Sequence, residues 1–332
     1  MNFVPALLYA VATSVLVSTL CGFLRGGLDP TTAGISLAAG ALLGAWSAAH
    51  RPRESSSEAP PSGWEWIAIL VFALTSARAF LWLVFADGDQ LKVLSPNNLG
   101  DLALHLTYLR YLAHGAAFWP DNPIFTHGKL TYPIGVDLFN ALLTLRGVDS
   151  LRGLIWTGLA GATLTGLALW RWGRGIALAA FLGNGGLAAL AGFATWQLAD
   201  FQADLAWKSL FLALFVTQRG LLFALPAGLL LLASWRSRFF GGAHPGRLSR
   251  PGEWLLYASL PLFHLHTFIF LSLILASWFV LHAPARPGLL RLVGAAFLPA
   301  SALVWLITGG FRGAGVLGLK LGWMWDDLSW LR

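Results

Sequence analysis

The chain is poor in charge. Asp, Glu, Lys and Arg make up 11% of its 332 residues, against about 25% in a soluble globular domain. With 57% hydrophobic residues, that scarcity excludes a soluble single-core protein and points to a polytopic membrane protein. Cysteine is nearly absent. Cys21 is the one cysteine and lies in the first apolar run, so an internal disulfide and a cysteine zinc site are both excluded. Acidic residues are outnumbered by basic ones, 15 to 22, for a net charge of +7. No basic cluster interleaved with stacking aromatics lies outside the apolar runs. The excess therefore reads as cytoplasmic loop charge, with no nucleic-acid partner. No basic region precedes the first apolar run, which argues against a cleaved signal peptide, and no internal repeat is visible. Tryptophan, by contrast, is abundant at 17 residues, which suits membrane-interface belts and sugar-binding surfaces alike.

The apolar runs set the expected topology. Phe3 to Phe23 and Thr31 to Ala49 form an N-terminal transmembrane hairpin within residues 1–50. Residues 51–63 form a Ser/Pro/Glu-rich linker whose Arg51 and Arg53 place it in the cytoplasm. Trp64 to Ala86 is the third span and delivers residues 87–150 to the outer face. An interval this long with its own helical signals is an ordered functional loop. Leu151 to Trp170 returns inward to Arg171 and Arg174, and Ile176 to Trp196 goes out again. Leu205 to Thr217 is too short to span and reads as a half-helix broken at Gln218-Arg219-Gly220. Leu221 to Trp235 descends to Arg236, Arg238, Arg247 and Arg250. Trp254 to Leu281 is long for one span and is interrupted by Pro261 and His264-Leu265-His266-Thr267, so a hairpin of two short helices is preferred. Leu289 to Ile307 is the last span, and the ending amid Trp323 to Asp327 suggests a C-terminally truncated fragment. The expected fold class is an all-α, polytopic integral-membrane helical bundle with a large extracytoplasmic loop containing amphipathic interface helices.

The polar residues gather on the expected outer side. Asp101, His105, Tyr108 and Leu112 share one helical face, beside an apolar stripe of Leu102, Leu106, Leu109 and Ala113. Asn98 suits an N-cap, with Asp101 at N3. A carboxylate next to a histidine can act as a general base, but a carboxylate in the first turn of a helix is also favoured by the dipole alone. Asp87-Gly88-Asp89 is either a polar turn or a pair of oxygen ligands for Mg²⁺ or Mn²⁺. Arg219 after a broken helix suits a phosphate, or a buried pair with Asp200 or Asp204. His264 and His266 are two residues apart and converge only if the helix breaks near Pro261. Asp326 and Asp327 fall on the same side. Tyr132-Pro133 opens a further short helix with Val136, Phe139, Asn140 and Leu143 on one face. Asp137 and Arg146 bracket it, so it is expected in the membrane interface.

Asn97-Asn98-Leu99-Gly100-Asp101 with His105, then Asn122-Pro123, Leu130-Thr131-Tyr132-Pro133, Gln218-Arg219-Gly220 and His264-Leu265-His266-Thr267 together resemble bacterial members of the GT-C superfamily of membrane glycosyltransferases. The resemblance runs from Trp64 to Asp327, so residues 64–332 are expected to form a GT-C-like transmembrane domain. It implies an inner-membrane, multi-pass enzyme that takes a sugar from a polyprenyl-phosphate donor by inverting displacement at the extracytoplasmic face. Asp101 matches the superfamily's acidic position that acts as catalytic base or metal ligand, with His105 beside it. Gln218, Arg219, His264 and His266 would hold the donor phosphate, and Asp87 and Asp89 a divalent metal. The superfamily often carries Asp-Glu or Asp-x-Asp after the first span, whereas Asp101 follows the third. The choice between Asp101 and Asp87/Asp89 stays open. A transporter or flippase for lipid-linked glycans is the alternative, and it predicts polar groups along a midplane path. A structural membrane subunit is a third class, for which an ordered polar loop is unnecessary.

Overall fold

The computed structural model describes residues 3–50, 59–93, 99–125, 127–184, 210–241 and 248–311. The proposed N-cap Asn98, most of the linker, the outer half of the expected fifth span, Asp200, Asp204, Arg247, Asp326 and Asp327 lie outside them. Five helical segments among the described residues are long and apolar enough to cross a membrane. They are α1 (Phe3–Arg25), α2 (Pro30–Ala49), α3 (Gly63–Leu81), α6 (Ser150–Gly183) and α10 (Ala283–Ile307). Between α3 and α6 come a small hairpin of β1 (Phe85–Asp87) and β2 (Gln90–Lys92), then α4 (Leu99–Ala113) and α5 (Gly135–Leu145). A π-helical turn, Leu210–Phe215, precedes α7 (Leu221–Phe240), which is followed by α8 (Arg250–Phe263) and α9 (Leu265–Leu281). The chain is thus the expected bundle of apolar helices, and among the described residues its strands are confined to one hairpin of two three-residue strands.

Helix ends follow their local chemistry. Asp29 accepts from the Thr32 N–H and Pro30 opens α2, so the α1–α2 turn has both a cap and a preset φ. Asp149 caps α6 through the Arg152 N–H, and Ser249 caps α8 through the Gly252 N–H. The return expected at Arg171 and Arg174 is a break inside α6, with non-helical backbone at Gly173 and Arg174. The expected hairpin at 254–281 is present: α8 ends at Phe263, and His264 caps α9 through the Thr267 N–H. Both of its ends return to the far end of α7. Arg238 of α7 pairs with Glu253 of α8 at 2.8 Å, and His282 after α9 lies 3.1 Å from the Phe239 carbonyl.

The helices therefore alternate in direction and give the bundle two unlike ends. One end carries the α1–α2 turn, the segment from β1 to α5, the start of α6, Gln218-Arg219-Gly220 and His264. The Phe118 N–H donates to the Gly26 carbonyl there, tying the α4–α5 loop to the α1–α2 turn. The other end carries Arg174, Arg238, Arg250, Arg286 and Arg291.

One expectation about the segment between α3 and α6 is corrected. α5 does not lie on a surface: Gly135 to Asn140, Ala141 and Leu142 include only one residue, Phe139, that is not buried. α5 packs against α4, α6, α1 and α2. Its charged Asp137 faces inward and has a partner there, which removes the reason for placing the helix in the interface.

At the arginine end, Glu65 organises the corner between α3 and α6. Its carboxylate accepts from the Ser62 N–H and hydroxyl at 2.9 and 2.8 Å and from Arg174 Nε and Nη2 at 2.7 and 3.0 Å. Arg174 stands at positive φ, and its guanidinium stacks 4.6 Å from the Trp170 ring centroid. Glu65→Ala and Arg174→Ala are each expected to lower the thermal midpoint of the detergent-solubilised protein by several degrees. The double variant should be little worse than the poorer single one, because both remove the same interaction. Unfolding scans of the four proteins measure that coupling.

Candidate functional site

The site is built where three chain reversals meet. Gly135 starts α5 directly against the end of α8: a Cβ there would come within 2.8 Å of the Leu262 carbonyl oxygen and of the Phe263 ring. Gly220 approaches still closer, with an added Cβ 1.9 Å from the Phe263 carbonyl oxygen. Only glycine allows backbone contact of this kind. These two approaches set Asp137, Arg219 and His264 around one small region, and α4 covers it with His105 and Asp101.

At its centre, His105 Nδ1 lies 2.9 and 3.0 Å from the two carboxylate oxygens of Asp137. An ionised carboxylate only accepts, so Nδ1 carries the proton and donates. Asp137 is fully buried and His105 is 2% exposed. His105 Nε2 has no hydrogen-bond partner among the described residues. The Tyr132 ring stands edge-on 6.0 Å from the imidazole and 5.3 Å from the Tyr108 ring. Burial pushes both phenols up, and the Asp137 charge pushes them further, so each remains a protonated donor at neutral pH. The polar face of α4 is thus packed as well as the apolar stripe: His105, Tyr108 and Leu112 are buried, and so are Leu102 and Leu109. The reason is Asp137 opposite, which offers the imidazole a partner inside.

Asp101 stands one turn before His105 on the same face and is half-buried. Its carboxylate makes no hydrogen bond or ion pair among the described residues. Its charge acts on Tyr132, which places it at the edge of the buried group.

Arg219 is fully buried. Its Nη2 donates to the Leu154 carbonyl and to Thr157 Oγ1, and the guanidinium lies 5.9 Å from the Phe80 ring centroid. Nε and Nη1 have no partner among the described residues. The Asp137 charge reaches it, though no ion pair forms. Arg219 thus points into the core, and the alternative pair with Asp200 or Asp204 lies outside the described residues. The large apolar grooves lie elsewhere, about 410 Å³ between α3 and α6 and about 600 Å³ between α9 and α10.

No family model, curated protein or solved structure matches this chain. The site must therefore be read from its geometry.

Gln218 and the two histidines form its rim. The Thr267 N–H donates to His264 Nδ1, so Nδ1 is the acceptor and Nε2–H donates to Gln218 Oε1 at 3.1 Å. His266 is exposed, with its ring 5.5 Å from that of His264. The break at His264 thus converges the two histidines despite their spacing. Asp87 and Asp89 sit apart from all of this, exposed on the β1–β2 hairpin, where Asp87 pairs with Lys92 and Gly88 takes positive φ. That geometry is a polar turn, and among the described residues no three His, Cys, Asp or Glu side chains group as metal ligands.

Asp137 is the central residue that sequence reasoning did not place. Its one sequence signal is a charge among apolar neighbours in a short helix, four residues after Pro133. Removing one partner of a buried charged pair costs about 3–5 kcal/mol. Asp137→Ala is therefore expected to destabilise by about 3 kcal/mol or more, and Asp101→Asn by less than about 1 kcal/mol. Reversible unfolding of both variants in mixed micelles checks the difference.

Proposed function

We propose that the chain is a membrane glycosyltransferase that moves a sugar from a polyprenyl-phosphate-linked donor to an acceptor hydroxyl, with its site on the extracytoplasmic side. The observation that carries this reading is the free, half-buried carboxylate of Asp101. It stands at the rim of a buried polar group, at one end of a bundle of membrane-length helices. A base needs to be reachable and unspent; Asp101 is half-buried with no hydrogen-bond or ion-pair partner among the described residues, whereas Asp137 is consumed by His105. The concentration of polar groups at one end favours transfer chemistry over a transporter, which calls for a path through the midplane.

In this mechanism Asp101 takes the proton of the acceptor hydroxyl. The acceptor oxygen bonds to sugar C1 as the bond from C1 to the phosphate oxygen breaks, and the electron pair stays on the phosphate. The donors offered to that charge are the Gln218 amide N–H groups and the exposed His266, while His264, whose Nε2–H donates to Gln218 Oε1, orients that amide. Arg219 is assigned a different part from the phosphate contact. It offsets the Asp137 charge from within, and the His105–Asp137 pair with Tyr132 holds α4 and hence Asp101 in place.

Two measurements test this. Membranes containing the protein, supplied with radiolabelled polyprenyl-phosphate hexoses, should transfer label, and Asp101→Asn should reduce transfer by about 10² or more with insertion unchanged. Equal rates for the two proteins would remove Asp101 as the base. In a Cys21→Ser background, a cysteine at the exposed Ala117 should react with an impermeant maleimide from outside intact cells. Protection there would place the site on the wrong face.

A further inference from the structure

The arginine end holds a polar cavity of about 280 Å³ that the glycosyltransferase reading does not use. It lies where α7, α8 and the start of α10 meet, and Arg238, Arg250 and Arg291 all line it. Glu253 is the one acid in its wall and is already engaged, by Arg238 at 2.8 Å and by the Ser234 hydroxyl at 2.6 Å. Three guanidiniums against one carboxylate leave the cavity with two positive charges in excess. Arg250 and Arg291 are exposed and form no ion pair among the described residues. Arg250 also lies in the first turn of α8, where a cation opposes the helix dipole. Its position is thus not explained by the helix itself.

The cavity does not stand alone. Leu292 lines both it and the apolar groove of about 600 Å³ between α9 and α10. Leu289, Leu290 and Val293 carry the groove onward from that wall, facing Leu273 and Phe279. At its mouth Arg286 donates to the Phe279 and Val280 carbonyls at the end of α9. A charged cup opening into a greasy channel has the shape of an amphiphile with an anionic head. A soluble phosphate would use the cup and leave the channel empty.

We propose that this cavity and groove together bind an anionic phospholipid, with the headgroup phosphate among Arg238, Arg250 and Arg291 and an acyl chain along the α9–α10 groove. Basic pockets between membrane helices on the side rich in Lys and Arg are suited to such headgroups, and the apolar groove contributes by burying chain methylenes. The proposal is independent of the chemistry at the opposite end.

Native mass spectrometry of the purified full chain tests it, with phosphatidylglycerol and phosphatidylcholine as probes. The wild type should retain phosphatidylglycerol roughly tenfold better than phosphatidylcholine. Arg250→Gln with Arg291→Gln should abolish that preference. Both residues are exposed, and Arg238, which holds Glu253, is left intact, so the variant keeps its corner. Ala276→Trp, which fills the groove wall, should reduce retention of phosphatidylglycerol with all arginines present. Equal retention of the two lipids by the wild type, or an unchanged preference in the double arginine variant, would overturn the proposal. Displacement by millimolar inorganic phosphate, with normal retention by Ala276→Trp, would identify a soluble-phosphate site and overturn it also.

Discussion

Charge buried in an apolar bundle is the constraint on which this structure depends. Asp137 is fully buried, and so is Arg219. Taking either ion out of water costs several kcal/mol. Asp137 is offset by the His105 imidazole at 2.9 Å, and Arg219 by the Leu154 carbonyl and Thr157. Those partners come from α4 and α6, so α4, α5, α6 and the turn before α7 are held in one arrangement. A slide of any one of them would expose a donor or acceptor with nothing to meet it. Among the described residues His105 Nε2 and Arg219 Nε and Nη1 have no hydrogen-bond partner.

The two ends of the bundle solve different problems. The arginine end fixes corners: Glu65 joins α3 to the break in α6, and Glu253 joins α7 to α8, each by accepting from an arginine and a serine. The remaining arginines there are exposed and attached to rigid helices, which suits a charged membrane surface. The opposite end brings reversals together by glycine contacts at Gly135 and Gly220. Asp101 there has no hydrogen-bond or ion-pair partner among the described residues, and the rim histidine His266 is exposed.

Much of the bundle is legible along the chain because spans are local. A run of apolar residues long enough for the bilayer forms its helix whatever surrounds it, since backbone groups in lipid must bond within the segment. α3 ends at Leu81, short of the expected Ala86, because Phe85–Asp87 pairs with Gln90–Lys92, but α1, α2 and α10 lie where the apolar runs place them. So do the break at Gln218-Arg219-Gly220 and the hairpin at His264. Asp101 and His105 are visible as polar residues on one helical face. What that face touches is not visible, because it depends on a residue 32 positions further on.

The sequence by itself determined that the chain is a bundle of apolar helices, where its helices break, and which few residues carry charge among them. Tertiary structure alone decided how those charges are used. His105 and Asp137 meet, Arg219 turns into the core, Asp87 and Asp89 stay on an exposed hairpin, and Asp101 has no hydrogen-bond or ion-pair partner among the described residues. The physical reason is range. Helix formation is decided by hydrogen bonds four residues apart, whereas the fate of a buried charge is decided by whichever distant group can reach it before water is excluded.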